Sequence, residues 1–90
     1  MKDISDWRDE IDRIDREIVG LLNERARAVL QLAPLKQQAN RAVHDPEREA
    51  RVHNNLRNAN AGPLPDESLD SVFETVMAEM RALQRDLIEK

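Results

Sequence analysis

Cysteine is absent from this chain, which excludes disulfides and thiolate metal sites. A long hydrophobic run is missing as well, because no uninterrupted apolar segment approaches the roughly 18 residues that a membrane span needs. The start of the chain, Met1 to Ser5, lacks the apolar core of a signal peptide. From these absences we expect a protein of the cytoplasm that does not cross a membrane.

An excess of positive charge is also missing. The formal net charge is −4, whereas binding to duplex nucleic acid depends largely on neutralising phosphates with Lys and Arg. We therefore expect no nucleic-acid partner. Any anion that this protein binds must be held by a local group of cations.

Aromatic side chains are nearly absent, since Trp7 and Phe73 are the only two. Charged residues make up 36% of the chain, and Ala, Leu, Glu and Arg dominate the composition. This composition favours helix over sheet. We predict an all-α fold, with residues 1–90 forming one domain.

Capping and breaking residues divide the chain into three predicted helices. Good caps lie between Asp3 and Ser5, and Asp45 followed by Pro46 is a typical helix start. The Gly-Pro-Leu-Pro segment at 62–65 separates the second helix from the third. We predict helices over about 4–39, 46–60 and 66–88.

The first predicted helix is very long for so short a chain. At about 1.5 Å per residue it spans roughly 54 Å, whereas a compact 90-residue globule is about 30 Å across. Its apolar side would stay in water unless another chain lay along it, so we expect an obligate homodimer with intertwined long helices. We also expect Pro34 to kink this helix just before Lys36, because proline loses the bond to the carbonyl of Leu30.

Cations occupy positions on predicted inward faces. Arg25 and Lys36 lie on the apolar stripe of the first helix, and Arg48 continues the apolar line of the second helix backwards from Val52. Because Lys and Arg are almost never buried unpaired, this placement predicts a cavity for an anion. Eleven residues of helix separate Arg25 from Lys36 by roughly 16 Å, enough for a molecule of about ten heavy atoms. The stripe of the first helix comprises Arg8, Ile11, Ile14, Ile18, Leu21, Arg25, Val29, Leu32 and Lys36.

Arg8 lies on the same stripe but is displaced from Arg25 by roughly 26 Å, too far to serve one cavity from one helix. In an antiparallel dimer it reaches the partner's cavity, and the two-fold axis then gives two cavities. Gln84 is a polar residue on the inward face of the third helix. His44 and His53 lack metal-ligand spacing, and we interpret both as solvent residues.

In this order the residues resemble the all-helical class of chorismate mutases over almost the whole chain. That family carries an Ile-Asp-x-Ile-Asp run followed by Leu-Leu and an arginine, found here at 11–15 and 21–25. Its later Asp-Pro-x-Arg-Glu motif stands at 45–49. The resemblance implies an intertwined three-helix homodimer that converts chorismate to prephenate, in phenylalanine and tyrosine biosynthesis, without a cofactor or a metal.

The implied reaction is a Claisen rearrangement within one molecule. It needs no proton transfer and no covalent intermediate, so the site has only to fold a dicarboxylate into a chair-like conformer and to stabilise developing charge. Carried over by position, the catalytic residues are Lys36, Gln84, Arg25 and Glu49, and the other substrate-binding residues are Arg8, Asp45 and Arg48.

The resemblance assigns a role to each of these residues. Arg25 of one chain and the partner subunit's Arg8 bind the two carboxylates of the substrate. Arg48 assists through its forked donors. Lys36 and Gln84 donate to the ether oxygen, which becomes more negative in the transition state.

The acidic residues of the motif accept hydrogen bonds from the substrate hydroxyl, and they hold the neighbouring cations Lys36 and Arg48 in place. Asp45 is a good N-cap whether or not it contacts a ligand. The chain departs from the family at Met80, where a serine that contacts a substrate carboxylate is common.

Two other functions stay open from the sequence. Isochorismate-pyruvate lyase has the same helical scaffold, although Glu49 favours the mutase because it supplies an acceptor for the chorismate hydroxyl. A non-catalytic dimerisation or regulatory module of an aromatic-pathway enzyme is the alternative from another class, and Met80 and Pro34 are the residues that support it.

Overall fold

The computed structural model describes residues 1–89, and over that range it contains three α-helices and no strand. Helix α1 spans Ile4–Gln38, α2 spans Pro46–Ala59 and α3 spans Asp66–Glu89. The all-α prediction is confirmed. The predicted helix starts agree with the structure, and each predicted end differs by one residue, which is the usual uncertainty at a fraying terminus.

Helix α1 begins at a capping box. The Asp3 carboxylate accepts a hydrogen bond from the Asp6 backbone N–H at 2.9 Å, and the Asp6 carboxylate accepts from the Asp3 N–H at 3.1 Å. These bonds satisfy donors that the first helical turn leaves without partners. Near the other end, Pro34 lies inside the helix, which continues to Gln38.

The C-terminus of α1 is closed by backbone bonds around Asn40. This residue has a positive φ of 56°, and the N–H of Arg41 donates to the carbonyl of Lys36 at 2.7 Å. The N–H of Asn40 donates to Gln37 at 3.1 Å, which completes a Schellman motif. The turn brings the following segment back along α1, so that the carbonyl of Val43 lies 3.4 Å from the Lys36 Nζ.

Helix α3 packs against both α1 and α2. The buried apolar side chains of residues 1–89 are few, and they lie where these helices meet. Gln84 is buried among them, with 4% of its surface exposed. The buried apolar residues are Ala33, Val52, Met77 and Met80.

Charged groups connect α2 to α3. His53 is one of them, so its interpretation as a solvent residue was wrong. Its Nδ1 lies 2.7 Å from Asp70 and its Nε2 lies 2.7 Å from Glu74, both on α3. Hydrogen bonding to Glu74 and to Asp70 raises the pKa of His53 above its ordinary value. Arg57 adds a bond to Asp70 at 2.6 Å. His44, by contrast, is 53% exposed, which fits its interpretation as a solvent residue, and its Nε2 lies 3.9 Å from the Glu49 Oε1.

The apolar stripe of α1 is open to solvent in the single chain. Ile11 is 54% exposed, Ile18 is 47% exposed and Leu21 is 64% exposed. The chain extends over 57 × 27 × 15 Å, and α1 accounts for most of the longest dimension. None of the helices between residues 4 and 89 combines the length and the apolarity that crossing a bilayer requires.

Candidate active site

A cavity of about 260 Å³ lies where the second half of α1, the start of α2 and the second half of α3 meet. One part of its wall is apolar and the other part is charged. The apolar lining consists of Ala28, Val29, Leu32, Val43, Val52, Met77 and Met80. The polar lining consists of Arg25, Lys36, Asp45, Arg48, Glu49, Arg81 and Gln84.

Six of the seven site residues predicted from the sequence therefore line one cavity, although they belong to three helices and the N-cap of the second and are up to 59 positions apart. The seventh, Arg8, is not part of the cavity wall within residues 1–89 of this chain. Arg48 lines the cavity but is exposed, so it lies at the rim and is not buried as its helical register suggested.

The charge of the cavity wall suits an anion. Four cations and two carboxylates line it, so the described part of one chain contributes a surplus of two positive charges. A concave wall of this kind concentrates the field of its cations because water is partly excluded. The residues can therefore hold a small molecule that carries two negative charges.

Lys36 and Gln84 form a pair in the cavity wall, where Gln84 is buried and Lys36 is half-buried. The Lys36 Nζ donates to the Gln84 Oε1 at 3.4 Å and to the Val43 carbonyl at 3.4 Å. The Gln84 Nε2 donates to the carbonyl of Met80, also at 3.4 Å. All three bonds are longer than the usual range for N–H···O, so these donors can turn toward another acceptor at low cost.

Asp45 caps α2, as its position before Pro46 predicted. Its Oδ1 accepts a hydrogen bond from the backbone N–H of Arg48 at 3.1 Å. This bond joins the Asp45 carboxylate to the main chain of Arg48 and does not hold the Arg48 guanidinium. Lys36 is held by Val43 and Gln84, which corrects the expectation that the acidic residues hold the two cations.

Glu49 has a partner that the sequence-predicted set did not include. Its Oε2 accepts a hydrogen bond from the Arg81 Nη1 at 2.5 Å, and each side chain is about one-fifth exposed. Arg81 lies three residues before Gln84 on α3, and this spacing puts both on one side of the helix. The spacing was therefore a signal from which Arg81 could have been found.

Among residues 1–89, no three His, Asp or Glu side chains are placed to share a metal ion. The charged groups of the cavity wall surround a space between the helices. Its two carboxylates already have partners, since Asp45 accepts from a main-chain N–H and Glu49 accepts from a guanidinium. What this arrangement can do is bind, orient and stabilise charge.

Comparisons with known proteins agree on one family. Residues 7–85 match the family model described as chorismate mutase type II. The chain is 46% identical over 80 residues to a bifunctional chorismate mutase/prephenate dehydratase of Neisseria gonorrhoeae, and the match covers 89% of this chain and 22% of that relative. It is 28% identical over 88 residues to a chorismate mutase of Methanocaldococcus jannaschii, covering 97% and 89% of the two chains.

A solved structure gives the same result. Form II of the chorismate mutase from Thermus thermophilus superposes with a TM-score of 0.87 at 34% identity, and the match covers 91% of this chain and 93% of that one. The chain spans less than a quarter of the bifunctional relative's length. The family predicted from the motifs is confirmed, and the chain belongs to the chorismate mutase type II family.

Proposed function

We propose that residues 1–90 form a catalytic domain that rearranges chorismate to prephenate in the cavity between the three helices. The observation that carries this proposal is the convergence of Arg25, Lys36, Arg48 and Gln84 on one hollow with a surplus of positive charge. Family membership supports the same reaction over the lyase and the non-catalytic module.

Arg25 binds one carboxylate of the substrate from α1, and Arg48 assists from the start of α2. The partner subunit's Arg8 binds the other carboxylate, so the two negative groups are held from different directions, which favours a folded conformer over an extended one. A guanidinium suits this role because its donors form two parallel bonds to a carboxylate. Binding the reactive conformer converts part of the entropic barrier into binding energy.

Lys36 and Gln84 stabilise the charge that develops on the ether oxygen as its bond to the ring breaks. The ammonium group and the amide N–H belong to half-buried and buried side chains of the cavity wall, and their present bonds of 3.4 Å are readily exchanged for bonds to the substrate. Donors fixed where charge develops act mainly on the transition state, because water is excluded there.

Glu49 and Asp45 accept from the hydroxyl of the substrate. Glu49 retains an oxygen, Oε1, that lies 3.9 Å from the His44 Nε2, beyond the distance of a hydrogen bond. The Glu49 Oε1 is therefore free to accept a hydrogen bond from the chorismate hydroxyl. This free acceptor supports the mutase reaction over the lyase, as the presence of Glu49 in the sequence does.

The site is completed by a second copy of the chain. We propose an antiparallel pairing of two α1 helices, in which the partner subunit's Arg8 adds a cation to each cavity. The exposed side chains of Ile11, Ile18 and Leu21 support this pairing, because a stable single chain rarely leaves such a stripe in water. The long first helix also extends beyond the region that its own chain covers.

The test is direct. The purified protein is mixed with chorismate and with isochorismate in separate reactions, and the products are identified. The proposal expects loss of chorismate absorbance with formation of prephenate. Pyruvate release from isochorismate without prephenate from chorismate would favour the lyase, and absence of turnover by the correctly dimeric protein would favour a non-catalytic module.

A further inference from the structure

We propose that Arg81 is a positioning residue of the active site and acts through Glu49. Its guanidinium fixes one oxygen of this carboxylate and leaves the other as the acceptor for the substrate hydroxyl. The inference rests on the proposed mutase function and adds a residue that neither the motifs nor the comparisons assign.

The pairing connects two helices across the cavity wall. Arg81 lies on α3 and Glu49 lies on α2, and the bond joins the Arg81 Nη1 to the Glu49 Oε2. The two side chains are 20% and 19% exposed, so the bond is shielded from water more than a surface ion pair is. Shielding makes the geometry of such a pair well defined and its loss costly.

The pairing leaves the two carboxylate oxygens of Glu49 in different states. Oε2 is engaged by Arg81, whereas Oε1 makes no hydrogen bond within residues 1–89. A carboxylate with one oxygen fixed and the other free can accept a hydrogen bond from a substrate hydroxyl in one orientation only. Without Arg81 the carboxylate has a choice of rotamers, and fewer of them present Oε1 to the ligand.

Arg81 also changes the charge that a dianionic ligand meets. Glu49 and Asp45 both line the cavity, and two bare carboxylates would repel the carboxylates of the substrate. The guanidinium of Arg81 neutralises the charge of Glu49 at the point of contact. Glu49 can then act as a hydrogen-bond acceptor in a site whose other task is to bind negative groups.

The experiment is a double-mutant cycle with Arg81→Met, Glu49→Gln and the two combined. Methionine retains most of the length of the side chain and removes the charge. We expect Arg81→Met to lower kcat/KM on the order of tenfold or more in the native background, and by less than about threefold when Glu49 is already Gln. Arg81→Lys, which retains one charged donor, should recover part of the loss.

Arg85→Met is the matched control, since Arg85 is an exposed arginine one helical turn further along α3 and lies outside the cavity wall. It should leave kcat/KM unchanged. Circular dichroism and gel filtration verify that each variant is folded and has the native oligomeric state.

The outcomes separate this inference from the proposed function. If the native protein does not convert chorismate, both fail. If the native protein is active but the losses from Arg81→Met and Glu49→Gln simply multiply, Arg81 does not act through Glu49 and the positioning role is wrong. The positioning role is also contradicted if kcat/KM falls as far in Arg81→Lys as in Arg81→Met, or if it does not fall in Arg81→Met.

Discussion

At the scale of single residues, the site is a group of cations whose position depends on a few polar neighbours. Lys36 reaches the cavity from the last turn of α1, and the carbonyl of Val43 and the amide of Gln84 hold its ammonium group. Lys36 is half-buried, and these neighbours matter because an ammonium group with less access to water needs acceptors. We expect catalysis in this cavity to depend on the arrangement of these donors more than on any reactive side chain.

We expect Lys36→Met to reduce kcat by about a hundredfold or more, because it removes a donor at the oxygen that gains charge in the transition state. Gln37→Ala, one residue further along α1 and exposed, is the control and should leave the rate unchanged. Steady-state kinetics with chorismate measures both. A Lys36→Met enzyme with the native rate would show that this cavity is not where the reaction occurs.

The residues of the site could largely be predicted from sequence, since helical periodicity and the Asp-Pro-x-Arg-Glu motif led to six side chains that share a cavity. The partners of these residues could not. Arg81 and Glu49 are 32 positions apart, and their bond depends on how α2 packs against α3. For the same reason, no local pattern indicated that His53 lies between Asp70 and Glu74. Local spacing identifies faces of helices, whereas contacts between helices need their packing.

At the scale of the elements, the ends of the helices position the site. Helix α1 ends at the Schellman turn around Asn40, and α2 begins after its N-cap Asp45. Lys36 and Arg48 therefore lie on either side of one short connection. The bounds of these helices were predictable because caps and breakers are local signals. The predicted bend at Pro34 stays a prediction, while α1 itself continues through this residue to Gln38.

We expect Pro34→Ala to stabilise the protein by about 1 to 3 kcal/mol, because alanine restores the N–H that can donate to the Leu30 carbonyl and is the better helix former. Pro34 is exposed, so the substitution leaves no cavity. Urea unfolding at fixed protein concentration measures the change, with Gln31→Ala as a control on the exposed side of the same helix. A Pro34→Ala protein less stable than the native one would mean that the helices pack only around a bent α1.

The contact between α2 and α3 should depend on pH through His53. Bonds to Glu74 and Asp70 raise the pKa of His53 in the folded state. The stabilisation is therefore complete below the unfolded pKa of about 6.5 and is lost as the pH rises through the higher folded pKa. We expect His53→Gln to lower the thermal midpoint at about pH 5.5 and to have a much smaller effect at about pH 9.

The control for this measurement is His44→Gln, because His44 is 53% exposed and belongs to the connector before α2. Its effect on the thermal midpoint should be small at both pH values. An equal effect of His53→Gln at the two pH values would indicate that His53 contributes through its packing and not through its charge.

At the scale of the whole molecule, a single chain leaves the apolar face of its longest helix without cover. Four apolar side chains are buried within residues 1–89, while the stripe of α1 is open over much of its length. This agrees with the argument from length alone, that a helix of 35 residues exceeds what so small a chain can cover. The dimer that we propose covers this stripe and brings the partner subunit's Arg8 to each cavity.

The most direct test of a site shared between two chains is a complementation measurement. Arg8→Ala and Arg25→Ala are each expected to be inactive as homodimers, since every cavity then lacks one carboxylate ligand. When equal amounts are unfolded and refolded together, about half of the dimers are mixed and each has one intact cavity, so activity should return to about a quarter of the native value. Mixtures that stay as inactive as the separate variants would contradict a site built from Arg25 of one chain and Arg8 of the other.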